Sequence, residues 1–154
     1  MTDKIPLSPH FTLGALTVTQ NAALQALNRT SALDYIPALK ALASGILEPI
    51  YGRFPDIMVT SGFRSLELNG ATPGAAVKSQ HMLGQAADMV FPARKLDDVF
   101  FWLRKESQLK FGQLILESSR GVRWIHISLG EPWRPAAKCG QVLVMKDGAY
   151  EALA

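Results

Sequence analysis

Apolar residues recur at two different periods along the chain, and the period predicts which segments are helices and which are strands. Between Pro37 and Tyr51 they repeat about every 3.6 residues, which predicts an amphipathic helix with Pro37 in its first turn. Pro49 is expected to bend or loosen the last turn, because proline lacks an amide donor. The same period predicts further helices over residues 19–27 and 96–107.

Short runs of aliphatic and β-branched residues predict the strands of one sheet. Five such runs are bounded by glycine or polar residues: 57–62, 86–91, 113–117, 124–128 and 142–145. The third and fourth are joined by Ser-Ser-Arg-Gly, which predicts an antiparallel pair. Residues 69–78 are small and polar and are expected to be irregular. The element order predicts an α+β fold in which a small, mainly antiparallel sheet is flanked by N-terminal helices and one inserted helix.

Length and composition predict one domain spanning residues 1–154, because a chain of this size can bury a core without disulfides. A net charge of +3, with scattered Lys and Arg residues, predicts no nucleic-acid partner. Attraction to an anionic polymer such as a bacterial cell wall stays open. Cys139 is the only cysteine, which excludes an internal disulfide and a multi-thiolate metal site. No apolar run is long enough to span a membrane, and we expect a monomer.

Two histidines and an aspartate lie in segments that a turn can bring together. If residues 74–88 were one helix, His81 and Asp88 would lie roughly 10 Å apart along its axis, too far to share a metal. The chain must therefore turn between them, and Gly84 tolerates the positive φ of a turn. If the strands of Asp88 and His126 pair, their Cβ atoms come within about 5 Å. Two imidazoles, a carboxylate and a vacant fourth position are the ligand set of a catalytic zinc ion.

These residues belong to three motifs in a fixed order: Ser61-Gly62-Phe63-Arg64-Ser65, Ser79-x-His81-x-x-Gly84-x-Ala86-x-Asp88 and Trp124-x-His126-x-Ser128. In these motifs the chain resembles, over about residues 8–146, the zinc D-alanyl-D-alanine carboxypeptidase and L-alanyl-D-glutamate endopeptidase family. That family belongs to a wider set of folds that includes lysostaphin-type peptidases and the hedgehog signalling domain. The opening Leu-Ser-Pro-His-Phe-Thr-Leu is similar to the start of its phage and prophage members.

The resemblance implies a zinc peptidase that cleaves the stem peptides of bacterial peptidoglycan, as an endopeptidase or a carboxypeptidase. It implies that one zinc ion is held by His81, Asp88 and His126. It also implies that Arg64 holds a substrate carboxylate or polarises the scissile carbonyl, two tasks that suit a permanently charged, bidentate donor. Ser79 is expected to orient His81, to bind substrate or to cap the local turn.

The general base is where the chain departs from the family. Many relatives have Glu or Asp three residues before the last zinc histidine, but Arg123 stands there in this chain. We predict that Glu117 takes the proton of the attacking water, because its strand is expected to pair with the strand of His126. Glu131 is the second candidate. Two acidic residues are expected to lie too far along the inserted helix: Asp97 and Asp98.

Two other classes of function stay open at this point. A non-catalytic zinc module that binds cell wall or a partner protein is favoured by the missing acidic residue at position 123. A metal-free Ser/His/Asp hydrolase would use Ser79 or Ser128, but neither serine lies in a recognisable nucleophile turn. The first residues lack a basic segment followed by an apolar stretch. We therefore expect synthesis in the cytoplasm and action on the wall after phage-type release or as a virion component.

Overall fold

The computed structural model of the protein describes residues 1–153, which contain one six-stranded sheet and five α-helices. The strands lie in the order β1-β2-β4-β3-β5-β6. All neighbouring strands are antiparallel except β3 and β5, which are parallel. The strands are β1 (Met58–Ser61), β2 (Ala86–Val90), β3 (Phe111–Ser119), β4 (Val122–Leu129), β5 (Gln141–Lys146) and β6 (Ala149–Ala152).

The helices precede the sheet or are inserted into it, which confirms the predicted α+β fold. They are α1 (Gln25–Ala32), α2 (Ile36–Leu42), α3 (Glu48–Arg53), α4 (Leu66–Ala71) and α5 (Leu96–Lys105). Among the described residues, no helix is long and apolar enough to cross a bilayer.

The core lies between the helices and one face of the sheet. From the central strands, Met89, Ile125 and Ile127 are fully buried in the same cluster as Leu39 and Leu103 of the helices. Because successive side chains of a strand point to opposite faces, the residues between them project from the other face. One face of the sheet therefore packs in the core, and the side chains of the other face are available to form a site.

The helix expected over 37–51 is present, and three other details differ from the predictions. The helix expected over 19–27 begins later, with a 3-10 turn at Ala22–Leu24 followed by α1. The segment expected over 37–51 is helical from α2 through α3, with a π-helical turn at Ala43–Leu47 in between. Pro49 lies in the first turn of α3, where the missing amide costs no hydrogen bond within that helix. Part of the segment expected to be irregular forms α4, because the Ser65 hydroxyl accepts the Leu68 amide and caps it.

The connection between β3 and β4 is shorter than the sequence predicted, and the sheet has one strand more. Ser118 and Ser119 belong to β3, so the connection to β4 is only Arg120 and Gly121, both with positive φ. The last predicted strand, over 142–145, is followed by a second hairpin strand, β6, that the interpretation missed. Asp-Gly at its turn, with φ of 48° and 86°, is the signal that could have identified it.

Candidate metal centre

His81 is held in a short turn that directs its ring toward the sheet. The Ser79 hydroxyl accepts the His81 amide at 3.1 Å and caps the 3-10 turn Gln80–Leu83. Gly84 follows with φ of 70°, which returns the chain into β2 as the sequence predicted. Ser79 therefore acts as a local cap, one of the three roles expected of it.

Asp88 and His126 face each other across β2 and β4. They are direct partners in the register, so their side chains lie on the same face. Asp88 Oδ1 lies 2.9 Å from His126 Nδ1 and 3.2 Å from His81 Nε2. All three residues are buried, and one candidate ligand atom from each lies within 4.8 Å of the others. The structure thus brings together the three residues that the sequence predicted.

The ring of His81 is oriented by the loop that follows β1. Its Nδ1 lies 2.6 Å from the carbonyl oxygen of Gly62, so Nδ1 carries the proton and donates, leaving the Nε2 lone pair toward Asp88. The His81 carbonyl in turn accepts the Arg64 amide at 3.0 Å. A side chain at position 62 would push this loop away from Leu16, since its Cβ would overlap the Leu16 carbonyl oxygen, which accepts the Phe63 amide.

Burial and charge favour the protonation states that a metal needs. Burial lowers the pKa of His81, although the neighbouring Asp88 carboxylate opposes the shift. For Asp88, burial alone would raise the pKa, but the two neighbouring imidazoles outweigh it, His81 by its charge when protonated and His126 by a hydrogen bond, and the pKa falls far below its usual range. A neutral imidazole and an ionised carboxylate are the forms that bind zinc.

Arg64 lies beside the centre and is held by three side chains. Its Nη2 donates to Asp88 Oδ2 at 3.2 Å, its Nε to Ser61 Oγ at 3.0 Å and its Nη1 to Asn69 Oδ1 at 3.3 Å. The guanidinium therefore occupies one carboxylate oxygen of Asp88 and leaves Oδ1 to the two histidines. Two of its five N–H groups are not used by these bonds.

Asn28 is a positioning residue that sequence reasoning missed. It is fully buried, and its amide nitrogen donates to the carbonyl oxygens of Thr17 and Phe63, while its oxygen accepts the Ser65 amide. These bonds fix the backbone on both sides of Arg64. No local sequence pattern predicts this role, because the hydrogen-bond partners of Asn28 lie up to 37 residues away in the chain.

Glu117 lies on the same face of the sheet as the metal centre. Ile115 of β3 pairs with His126, and Glu117 pairs with Trp124, two residues further along each strand. Since alternate residues share a face, Glu117 projects beside His126. The structure is therefore compatible with the predicted general base.

Burial raises the pKa of Glu117, and the negative charge of Asp88 adds to the rise. His126, Trp124 and Arg64 oppose the rise. Trp124 acts through its buried indole nitrogen, which is directed at the Glu117 carboxylate. A carboxylate with a raised pKa takes up a proton more readily, which is the property of a general base.

The other acidic candidates lie away from the centre. Glu131 is exposed in the loop after β4 and lines a separate cavity of about 540 Å³ with residues such as Lys110 and Cys139. Arg123 lies three residues before His126 in a continuous strand, so it points to the opposite face. There it forms an ion pair with Asp97 at 2.6 Å.

The donor set fits zinc in both chemistry and spacing. Ligand atoms about 2.0–2.2 Å from a tetrahedral zinc ion lie about 3.3–3.5 Å from one another. The separations of Asp88 Oδ1 from the two imidazole nitrogens, 3.2 and 2.9 Å, are close to that spacing. Small side-chain shifts would admit the ion between His81, Asp88 and His126.

A family model described as Peptidase M15 matches residues 9–128, which include all three of these residues. The chain belongs to the peptidase M15 family. Comparisons with curated proteins and with solved structures found no match. The family is one of zinc-dependent peptidases, so the peptidase class and the zinc dependence predicted from the motifs are confirmed.

Proposed function

We propose that this peptidase hydrolyses peptide bonds in the stem peptides of bacterial peptidoglycan. Peptidases of the M15 family act on peptidoglycan, which supports this substrate class. The observation that carries the proposal is the convergence of His81, Asp88 and His126 on one buried point of the sheet. One zinc ion bound there supplies the Lewis acidity that makes water nucleophilic near neutral pH and polarises a carbonyl.

The side chains around this point have separable tasks in hydrolysis. Glu117 accepts a proton from the attacking water at its carboxylate and delivers it to the leaving amine. Arg64 keeps Asp88 oriented through Oδ2, and its two remaining N–H groups are available for an oxygen of the substrate. Free carboxylates and D-residues of the stem peptide are the features we expect this site to select. Ser79 caps the His81 turn, and its hydroxyl hydrogen is available to donate to the bound peptide.

Digestion of purified sacculi tests the proposed function. The zinc-loaded protein should release stem-peptide fragments or free D-alanine, release should stop when a chelator removes the metal, and zinc should restore it. Mass spectrometry of the products identifies the bond and separates L-alanyl-D-glutamate endopeptidase from D,D-carboxypeptidase activity. Binding to sacculi without release would instead indicate a non-catalytic zinc module, and metal-independent release would contradict the assigned centre.

We also propose that the protein reaches the wall after phage-type release or as a virion component. The similarity of its first residues to phage and prophage relatives supports this delivery. If lysis of cells that express the protein requires a co-expressed membrane pore, this would support phage-type release. Recovery of the protein in purified phage particles would instead support the virion role.

A further inference from the structure

A row of side chains next to the metal centre continues onto the last hairpin. Glu117 pairs with Met145 of β5, and Met145 pairs with Tyr150 of β6. Direct partners in neighbouring strands share a face, so Tyr150 lies on the face that carries Glu117. The adjacent row contains Asp88 and His126 and lies about 7 Å away, which is two residues along a strand.

Glu117 and Tyr150 lie on either side of Met145 in this row. The two residues are separated by two strand spacings, or about 10 Å between Cα atoms. Met145 stands between them, but its sulfur accepts the Gly148 amide at 3.2 Å, which draws it toward the turn. Tyr150 is 61% exposed and accessible to a ligand.

Electrostatic coupling across this face supports the same placement. Burial raises the pKa of Tyr150, and the charges of Glu117 and Asp88 raise it further. The phenol is therefore protonated and able to donate at neutral pH. On the other side of Glu117, the buried Trp124 indole nitrogen acts on the carboxylate itself and lowers its pKa. The Tyr150 phenol is therefore the donor of this row that an oxygen of a ligand could use.

We propose that the β5–β6 hairpin forms one wall of the substrate cleft, and that the Tyr150 hydroxyl donates a hydrogen bond to a carbonyl or carboxylate oxygen of the bound peptide. This inference rests on the proposed function. The hairpin lies beyond residues 9–128, the segment that the family model matches. Tyr150 would therefore add to the substrate contacts that the family motifs provide.

Matched variants of β6 test the inference. Tyr150→Phe removes only the hydroxyl, and Tyr150→Ala also removes the ring. Glu151→Ala is the control. Glu151 follows Tyr150 in β6, so its side chain points to the opposite face, and it pairs with Val144. We expect both Tyr150 variants to raise KM for a soluble stem peptide about tenfold, the loss of one hydrogen bond to a charged or polar group. kcat, zinc content and melting temperature should stay within error of the control.

Equilibrium binding provides a readout that does not depend on turnover. In a Glu117→Gln background, Tyr150→Phe should raise the dissociation constant of the stem peptide by the same factor. Equal KM and Kd values for Tyr150→Phe and Glu151→Ala would overturn the inference while leaving the proposed function intact. A loss confined to kcat would overturn it too, because it would place the phenol in the chemical step. If the parent protein releases neither peptide nor D-alanine from sacculi, the proposed function fails, and the inference fails with it.

Discussion

Glu117 is the side chain on which turnover should depend most among those that do not bind the metal. Glu117→Gln keeps the size of the side chain but cannot accept a proton, so we expect kcat to fall about 100-fold or more, the usual contribution of a general base. Zinc stoichiometry and circular dichroism should not change. Steady-state hydrolysis of a soluble stem peptide, with metal analysis of the same samples, measures both.

The matched control for this substitution is Glu131→Gln. Glu131 lies in an exposed loop on a separate cavity, so its variant should retain the activity of the parent. An active Glu117→Gln protein, or an inactive Glu131→Gln protein with normal zinc content, would contradict the assignment of the base.

Glu117 also lowers the free energy of unfolding of the metal-free protein. Burial and the charge of Asp88 raise the pKa of Glu117, which means that the metal-free fold holds the protonated form more tightly than the unfolded chain does. The ionised carboxylate therefore weakens the metal-free fold at neutral pH, and this effect disappears in acid, below the ordinary pKa of 4.5. A positive ion beside Asp88 would relieve part of the cost.

At the scale of elements, the turn between His81 and Asp88 decides whether the ligands meet. Gly84→Ala places a Cβ 3.0 Å from Leu39 Cγ and 3.2 Å from Tyr35 Cβ, at a φ of 70°. The left-handed backbone costs about 1–2 kcal/mol for alanine, and the crowding adds about 1–3 kcal/mol. We expect a lower free energy of unfolding together with weaker zinc binding, measured by denaturation and by competition with a chelator.

Gly74→Ala separates these two effects. Gly74 has a similar φ of 75°, but nothing lies within 4 Å of an added Cβ, so its variant carries the backbone cost alone. It should keep the zinc affinity of the parent. Equal zinc affinities for both variants would show that the turn at Gly84 does not position His81.

Local patterns predicted those elements whose side chains alternate or repeat, and with them the metal ligands. The alternation in Ala-Ala-Asp-Met-Val and Trp-Ile-His-Ile-Ser placed Asp88 and His126 on one face, and the register confirms it. The contacts of Asn28 could not be predicted, because they join backbone groups brought together only by tertiary folding. β6 was missed for another reason, since its Ala-Tyr-Glu-Ala sequence has little apolar character and is exposed throughout.

At the scale of the whole molecule, contacts within the fold hold the three candidate metal ligands in place. His81 is fixed by the Gly62 carbonyl, Asp88 by Arg64 and His126 by its position in a central strand. The helices and the opposite face of the sheet bury a continuous core that does not include the metal ligands. A chain of this size does not need a metal to fold, unlike small zinc domains that unfold without it.

We therefore expect the metal-free protein to remain folded but to melt earlier. Zinc at about 100 times its dissociation constant should add about 2.7 kcal/mol to the free energy of unfolding, which is about 5–10 °C in Tm for a chain of this length. Thermal melts at several free zinc concentrations should show Tm rising with the logarithm of concentration, while the far-ultraviolet spectrum stays the same. His126→Ala should remove the zinc dependence, whereas exposed His10→Ala should keep it. Loss of secondary structure on chelation would contradict a preformed site, because the metal would then organise the sheet on which its own ligands lie.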